Sequence, residues 1–185
     1  MKNILTDQIE FNKSMKGSKP RGCFSAGTLI HTKEGLKPIE IIQVGDLVLS
    51  YPHDQPPPDG ITLGHGCQTY RQVRQVSVKE EQSLCHLKVL NTSSGEIETL
   101  WVTPSHPIYV KGIGWTPVGQ MDRAGDVLEN YRFGNSMVYR CYQNVDVGRV
   151  YNFEVEEFHT YYVGKVGIWV RNQCEEKNRL DLGLI

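Results

Sequence analysis

The stretch CFSAGTLIHTKEGLKPIEIIQVGDLVLS, residues 23–50, contains the strand and turn signals that decide the fold. Its TLIHT run at residues 28–32 is rich in β-branched residues and predicts a strand, and KEG at 33–35 is typical of a turn. Gly45 and Asp46 mark a second turn before the apolar run LVLSY. Short strands separated by tight turns predict a sheet built from hairpins.

The same pattern continues almost to the end of the chain. Apolar alternation predicts strands at residues 70–78, 84–90, 96–102, 107–110, 115–118, 137–147, 150–155, 160–163 and 168–170. The Ser-Ser-Gly turn at 93–95 predicts a hairpin between its flanking strands. Residues 52–66, with three consecutive prolines, predict a surface loop. Helical signals are confined to 118–121 and the tail after 174, so the sequence predicts an all-β domain with many short hairpin strands.

Length and charge limit the classes of protein to consider. A chain of 185 residues is long enough for one domain with a hydrophobic core. Its net charge of −1 gives no electrostatic basis for binding nucleic acid or a membrane surface. No apolar run approaches the roughly 20 residues of a membrane helix, and the N-terminus lacks the apolar core of a signal peptide. We expect a monomer.

Five cysteines are scattered along the chain without a CxxC pair, and their odd number argues against a disulfide framework. We therefore expect a reducing, cytoplasmic setting for the chain as expressed. Cys85 and Cys141 are expected to be small, buried, apolar residues. A metal site formed by His65, Cys67, Cys85 and His86 is a weaker alternative, because the spacing matches no zinc pattern. No cofactor is predicted.

Cys23 combines a nucleophilic side chain with a glycine in front of it. A thiolate is the strongest side-chain nucleophile near neutral pH. On a strained turn, its sulfur can attack the carbonyl of Gly22 and convert the amide between the two residues into a thioester. Gly22 has no side chain to hinder that approach. The alternative is a buried cysteine at the beginning of a strand.

His106 lies in the TPSHP sequence at 103–107, directly after a predicted strand. A histidine can donate a hydrogen bond or a proton to a strained amide nitrogen and so make it a leaving group. Thr103, three residues earlier, has a hydroxyl that can support the same peptide bond. The alternative is a loop histidine that caps a turn.

Asn172 follows the last predicted strand, and His159 precedes the strand before it. The side-chain nitrogen of Asn172 can attack its own carbonyl, which forms a succinimide and breaks the bond to Gln173. That reaction needs a proton donor and a polarised carbonyl, which are tasks for a histidine such as His159. The alternative is a turn asparagine, because Asn tolerates left-handed backbone geometry.

Together these segments resemble a Hint (hedgehog/intein) domain. Residues 23–50 resemble its opening, TLWVTPSHPIYV at 99–110 resembles its Thr-x-x-His segment, and VYNFEVEEFHTYYVGKVGIWVRN at 150–172 resembles its two C-terminal segments. The AGT after CFS and the run YNFEVEEFHTYYVG resemble bacterial intein-like domains found upstream of toxin domains in polymorphic toxins.

This resemblance implies a flat, horseshoe-like Hint fold with pseudo-twofold symmetry and neighbouring termini. It also implies a role for each residue: Cys23 as nucleophile, Thr103 and His106 activating the bond after Gly22, His159 assisting, and Asn172 cyclising. The self-processing domain would span 23–172, with 1–22 and 173–185 as its own substrate segments. A toxin or effector domain would follow in a longer, exported bacterial parent, although the compartment is left open.

Three positions differ from the intein pattern. Gln173 stands where splicing inteins have Cys, Ser or Thr, and Cys174 would reach the thioester only through a larger ring, so we expect cleavage and at most weak splicing. Arg171 replaces the usual histidine and stays protonated. Asn152 replaces the aspartate of many inteins, a carboxylate that could tune Cys23. We expect a slow or conditional reaction. The alternative is a catalytically impaired Hint-fold module that acts as a structural or interaction scaffold.

Overall fold

The structure is a computed structural model that describes residues 22–55, 68–121, 124–131 and 136–172. Its strands are β1 Phe24–Ser25, β2 Leu29–Thr32, β3 Gly35–Pro38, β4 Leu47–Ser50, β5 Thr69–Asn91, β6 Ile97–Val102, β7 Pro107–Val110, β8 Gly114–Pro117, β9 Val127–Leu128, β10 Ser136–Val155, β11 Thr160–Val163 and β12 Ile168–Arg171. The described residues contain no α-helix, only 3-10 turns at Ile39–Ile41 and Val118–Gln120. The all-β prediction is confirmed, as is the helical turn near residue 118.

All the strands belong to one antiparallel sheet. Its order is β11-β12-β7-β9-β10-β1-β6-β5-β4-β2-β3, with β8 added beside β7. A further pairing of β11 with β2, through Val163 and Ile30, brings the two ends of this path together. A strand near the beginning of the domain therefore lies beside one near its end.

Two strands are much longer than the sequence predicts. The segments predicted as 70–78 and 84–90 are one strand, β5, and those predicted as 137–147 and 150–155 are one strand, β10. The two pair with each other along most of their length, with register shifts between Tyr142 and Asp146 and between Gly148 and Val150. Around residues 79–83 the side chains are exposed or half-exposed, so apolar alternation stops although the ladder continues. The predicted hairpin at 93–95 is confirmed by the pairing of Leu90 with Ile97.

The hydrophobic core lies along the inner face of this sheet. It contains apolar side chains from most strands, among them Phe24, Ile30, Leu87, Ile108 and Val170. A second, aromatic cluster joins Tyr51, Tyr162 and Trp169 with Tyr109 and Trp115. Alternate residues of a strand point to opposite faces, so the neighbours Tyr161 and Tyr162 enter different clusters.

The cysteines agree only in part with their prediction. Cys85 is buried, but Cys141 is half-buried, because its sulfur lies at the edge of the core near the Val118 carbonyl oxygen, 3.8 Å away. Cys23, Cys85 and Cys141 are free thiols. Within the described ranges no group of three or more His, Cys, Asp or Glu side chains could hold a metal ion. His65, Cys67 and Cys174 lie outside those ranges. No helix in the described parts of the chain has the length and apolar character needed to cross a membrane.

Thr160 joins the end of β4 to the beginning of β11 inside the protein. Its hydroxyl accepts the Tyr51 backbone N–H at 3.2 Å and donates to the Tyr51 carbonyl oxygen. Its own carbonyl accepts the Ser50 hydroxyl at 2.7 Å. Thr160 and Ser50 are both fully buried. These bonds fix the strand that carries Tyr161 and leads toward the C-terminal end of the domain.

Replacing Thr160 by valine keeps the shape of the side chain and removes both hydrogen bonds to Tyr51. We expect Thr160→Val to lower the free energy of unfolding by about 1–3 kcal/mol, because buried polar groups lose a partner. Urea unfolding followed by fluorescence measures this. The exposed strand residue Thr99 is the matched control, and Thr99→Val should change stability by less than about 0.5 kcal/mol. Equal effects of the two substitutions would contradict a stabilising role for the hydrogen bonds of the Thr160 hydroxyl.

Candidate functional site

The backbone of Cys23 is bracketed by Thr103. The Cys23 N–H donates to the Thr103 hydroxyl oxygen at 2.9 Å, and the Thr103 N–H donates to the Cys23 carbonyl oxygen at 2.9 Å. The same hydroxyl lies 3.3 Å from that carbonyl oxygen and donates to it. Cys23 is 1% exposed and Thr103 is 5% exposed. The structure therefore brings together two of the residues that the sequence singles out, at the peptide nitrogen that follows Gly22.

His106 closes the other side of this peptide bond. Its ring is completely buried and packs against Phe24, with 4.4 Å between ring centroids. A Cβ atom on Gly22 would lie 2.3 Å from His106 Nδ1, so only glycine fits beside the ring. The TPSH turn is held by the His106 N–H, which donates to the Thr103 carbonyl at 3.1 Å, and by the Val118 N–H, which donates to the His106 carbonyl at 3.0 Å.

The environment of His106 favours the neutral imidazole. Burial lowers its pKa from 6.5 to about 3, and the Gly22 backbone partly opposes that shift. Neither ring nitrogen completes a hydrogen bond with the described residues. A neutral imidazole beside this amide can give one proton and take another, depending on its tautomer.

Asn172 lies immediately after β12, and its side-chain amide is held at both ends. Its nitrogen Nδ2 donates to the Phe153 carbonyl oxygen at 2.6 Å. Its oxygen Oδ1 accepts a hydrogen bond from Asn152 Nδ2 at 2.9 Å. The backbone N–H of Asn172 donates to the His159 carbonyl at 2.8 Å. Asn172 is 5% exposed, so this is a buried, fixed amide and not the hairpin-turn asparagine of the alternative interpretation.

Asn152 has a second set of contacts that fixes its orientation. Its Oδ1 accepts the Phe153 N–H at 2.8 Å and the Tyr161 hydroxyl at 3.3 Å. The oxygen is thereby turned away from Asn172 and the NH₂ group toward it. In the sequence, Asn152 stands out only as a missing carboxylate, and Tyr161 does not stand out. The signal that could have identified Tyr161 is its polar hydroxyl within a predicted strand of mainly aromatic and apolar residues, since a buried phenol needs a partner.

His159 contacts Asn172 through its backbone carbonyl, which accepts the Asn172 N–H. It has a φ of 55°, in the left-handed region that non-glycine residues avoid. Its Nδ1 lies 3.9 Å from a carboxylate oxygen of Glu154, and its ring centroid lies 5.5 Å from that of His53. The sequence placed His53 in a loop without a function. The structure thus gives the predicted His159 a second imidazole as its neighbour.

Of the remaining predicted residues around the C-terminal junction, the structure describes Arg171. Arg171 is the last residue of β12, is half-buried, and pairs with Thr160 of β11. Gln173 and Cys174 lie outside the described residues.

The strand register joins the two halves of the site. Phe24 is opposite Tyr151 in the antiparallel pair of β1 and β10, and Ser25 is opposite Val150. Continuing that register places Cys23 opposite Asn152, which binds Asn172. Cys23, Thr103, His106, Asn152 and Asn172 are all buried, and the pairing of β1 with β10 brings the two groups to neighbouring strands.

Comparison with known proteins agrees with this arrangement. The Pretoxin HINT domain family matches residues 29–173. The bacterial intein-like domain from Clostridium thermocellum has 32% sequence identity and a TM-score of 0.64, with 81% of this chain and 98% of that domain covered. The DnaB intein from Synechocystis sp. PCC 6803 has 15% identity and a TM-score of 0.62, with 83% and 99% covered, and is similar in fold. A search of curated proteins found no match.

The family match covers most of the chain, and the intein-like domain shares both its fold and about a third of its sequence. The Hint fold expected from the sequence is confirmed by these similarities. The chain belongs to the pretoxin Hint domain family.

Proposed function

We propose that this domain cleaves its own backbone in a single turnover, after Gly22 and after Asn172, and that splicing is inefficient. The observation that carries the proposal is the burial of Cys23 and Asn172, with Asn172 bound to Asn152, whose strand β10 pairs with the β1 strand that follows Cys23. Membership of a pretoxin family supports a place upstream of a toxin or effector segment in a longer protein. In this proposal residues 23–172 are the processing domain, and cleavage after Asn172 releases the downstream segment.

The N-terminal reaction is an acyl shift from nitrogen to sulfur. Cys23 Sγ attacks the carbonyl carbon of Gly22, the bond from that carbon to the Cys23 nitrogen breaks, and the thiol proton ends on the freed amine. The Thr103 hydroxyl, 2.9 Å from that nitrogen, holds the amide in place. The neutral His106 ring beside Gly22 carries the proton from sulfur to nitrogen. Water or an added thiol then displaces the N-terminal segment from the thioester.

The C-terminal reaction is the cyclisation of Asn172. Its Nδ2 attacks its own carbonyl carbon, the bond to Gln173 breaks, and one proton moves from Nδ2 to the departing amine, leaving a succinimide. The Phe153 carbonyl oxygen accepts a hydrogen bond from Nδ2 at 2.6 Å, which makes this nitrogen more nucleophilic. The Asn152 NH₂ group, which donates to Oδ1 at 2.9 Å, holds the side-chain amide of Asn172 in a fixed orientation. His159 is the candidate proton donor to the leaving amine.

Two residues of this site that differ from the intein pattern predict a slow C-terminal step. Arg171 remains protonated and cannot transfer a proton as a histidine would. Asn152 supplies a hydrogen bond but no negative charge. Both features also suit the alternative of an inactive Hint-fold scaffold, so the rate decides between the two functions.

Intact-mass measurement of the purified chain during incubation tests the proposal. We expect loss of residues 173–185 without additives and loss of residues 1–22 when a thiol is added. Succinimide formation neither adds nor removes atoms. The masses of the two fragments, residues 1–172 and 173–185, should therefore initially add up to the mass of the intact chain. Proteolysis would add one water molecule to that sum.

Point variants separate the two cuts. Asn172→Ala should abolish only the C-terminal cut and Cys23→Ala only the N-terminal one. Arg171→His should accelerate the C-terminal cut, by about 10²-fold or more if proton transfer limits it. An intact wild-type chain after days with and without thiol, together with an intact Arg171→His chain, would leave the scaffold as the function.

Gly22 offers a test of the N-terminal half alone. A methyl group at this position would lie 2.3 Å from His106 Nδ1 and must displace the ring or the peptide. We expect Gly22→Ala to slow thiol-induced cleavage by about 10- to 100-fold, because small misplacements of reacting groups are costly. Gly148→Ala is the matched control, since its Cβ meets only the flexible Leu84 side chain, at 3.3 Å. If Gly22→Ala cleaves as fast as Gly148→Ala, His106 does not act at this bond.

The buried His106 also predicts a pH dependence of stability. Its folded pKa of about 3 lies below the ordinary 6.5, so the unfolded chain binds the extra proton between these values. The His106 contribution is therefore present above pH 6.5 and is lost as the pH falls toward 3. Compared with His106→Gln, the wild-type free energy of unfolding should fall by about 1.4 kcal/mol more per pH unit.

Urea unfolding at several pH values between 4 and 7 measures the free energy of unfolding of the wild type and of His106→Gln. Thr103→Val, in the same site but without a titrating group, should give a profile parallel to the wild type. Parallel profiles for wild type and His106→Gln would contradict a neutral, desolvated His106.

A further inference from the structure

Tyr161 occupies the space between the two halves of the site. It lies on β11, is completely buried, and packs on Phe153 with 4.3 Å between ring centroids. On its other side the His106 ring is edge-on, with 6.3 Å between centroids. One aromatic side chain thus spans the distance from the TPSH turn to the strand that holds Asn152.

The Tyr161 hydroxyl makes a polar contact inside this apolar space. It donates to Asn152 Oδ1 at 3.3 Å, longer than the usual O–H···O distance of about 2.7–2.8 Å. Asn152 Oδ1 also accepts the Phe153 N–H, so both donors meet the same oxygen. An amide whose oxygen is occupied in this way can present only its NH₂ group to Asn172.

The phenol is suited to act as a permanent donor. Burial raises the pKa of Tyr161 well above its ordinary value of 10, and the nearby Cys23 raises it further because two buried anions repel each other. Tyr161 therefore keeps its proton throughout the neutral range.

We propose that Tyr161 is a positioning residue for cleavage after Asn172: its hydroxyl orients the Asn152 amide, and that amide orients Asn172. The chain of contacts is Tyr161 Oη to Asn152 Oδ1, then Asn152 Nδ2 to Asn172 Oδ1. This inference rests on the proposed function for its effect on rate, and on the hydrogen bonds alone for its effect on structure. Together with the Phe153 N–H, the Tyr161 hydroxyl keeps the Asn152 oxygen turned away from Asn172.

Tyr161→Phe removes the hydroxyl and keeps the ring. We expect the C-terminal cut to slow by about 3- to 10-fold, the effect of one net hydrogen bond. Thiol-induced N-terminal cleavage should stay within about twofold, since Thr103 and His106 keep their contacts. Tyr162→Phe is the matched control, because its neighbouring hydroxyl is also buried but accepts from Gln68 at 3.1 Å, in the other cluster. It should change neither rate.

Two further measurements separate positioning from a general loss of packing. In an Asn152→Ala background, Tyr161→Phe should have no additional effect on the C-terminal rate, because the group through which it acts is gone. Side-chain amide NMR signals of Asn152 and Asn172 should shift in Tyr161→Phe and stay in place in Tyr162→Phe.

The outcomes distinguish this inference from the proposed function. A wild-type chain that never cleaves would overturn the proposed function, and the NMR signals would then decide the role of Tyr161 alone. Unchanged Asn152 and Asn172 signals in Tyr161→Phe would overturn the inference. So would equal slowing of both cuts, or a full Tyr161→Phe effect that persists without the Asn152 amide.

Discussion

The register between β1 and β10 is the constraint on which the site depends. Side chains alternate between the two faces of a strand, so a slip of one residue would turn Cys23 away from Asn152. The pairing of Phe24 with Tyr151 prevents that slip, because Phe24 is buried on the core side and also opposes Val102 of β6. Core packing thereby sets the position of Cys23 relative to the Asn152–Asn172 pair.

Burial is the second determinant of the chemistry. Three polar residues, Thr103, Asn152 and Asn172, are each at most 5% exposed, and each uses its polar side-chain atoms in hydrogen bonds. In such surroundings a hydrogen bond is stronger than in water, and an unpaired polar atom is costly. The same low polarity holds His106 neutral. Geometry and protonation are therefore consequences of one desolvated interior.

Much of the fold could be predicted from the sequence because hairpins are local. The turn at 93–95 fixes the pairing of β5 with β6, and its residues are adjacent in the chain. The length of β5 could not be predicted, since its exposed middle is stabilised by pairing with distant β10 residues, such as Ser83 with Val147 and Lys79 with Val150. The meeting of Cys23 and Thr103 was predicted through a family resemblance. Tyr161 was missed because its role depends on which hydroxyl faces which amide, a property of tertiary packing.

The asparagine at position 152 makes physical sense in this interior. A carboxylate there would be a buried charge beside a buried thiol, which is costly without a cationic partner. An amide avoids that cost and offers a donor and an acceptor, and both are used, toward Asn172 and toward Phe153 and Tyr161. With an amide at position 152, the site has a fixed orientation of Asn172 but no carboxylate that could act as an acid or a base.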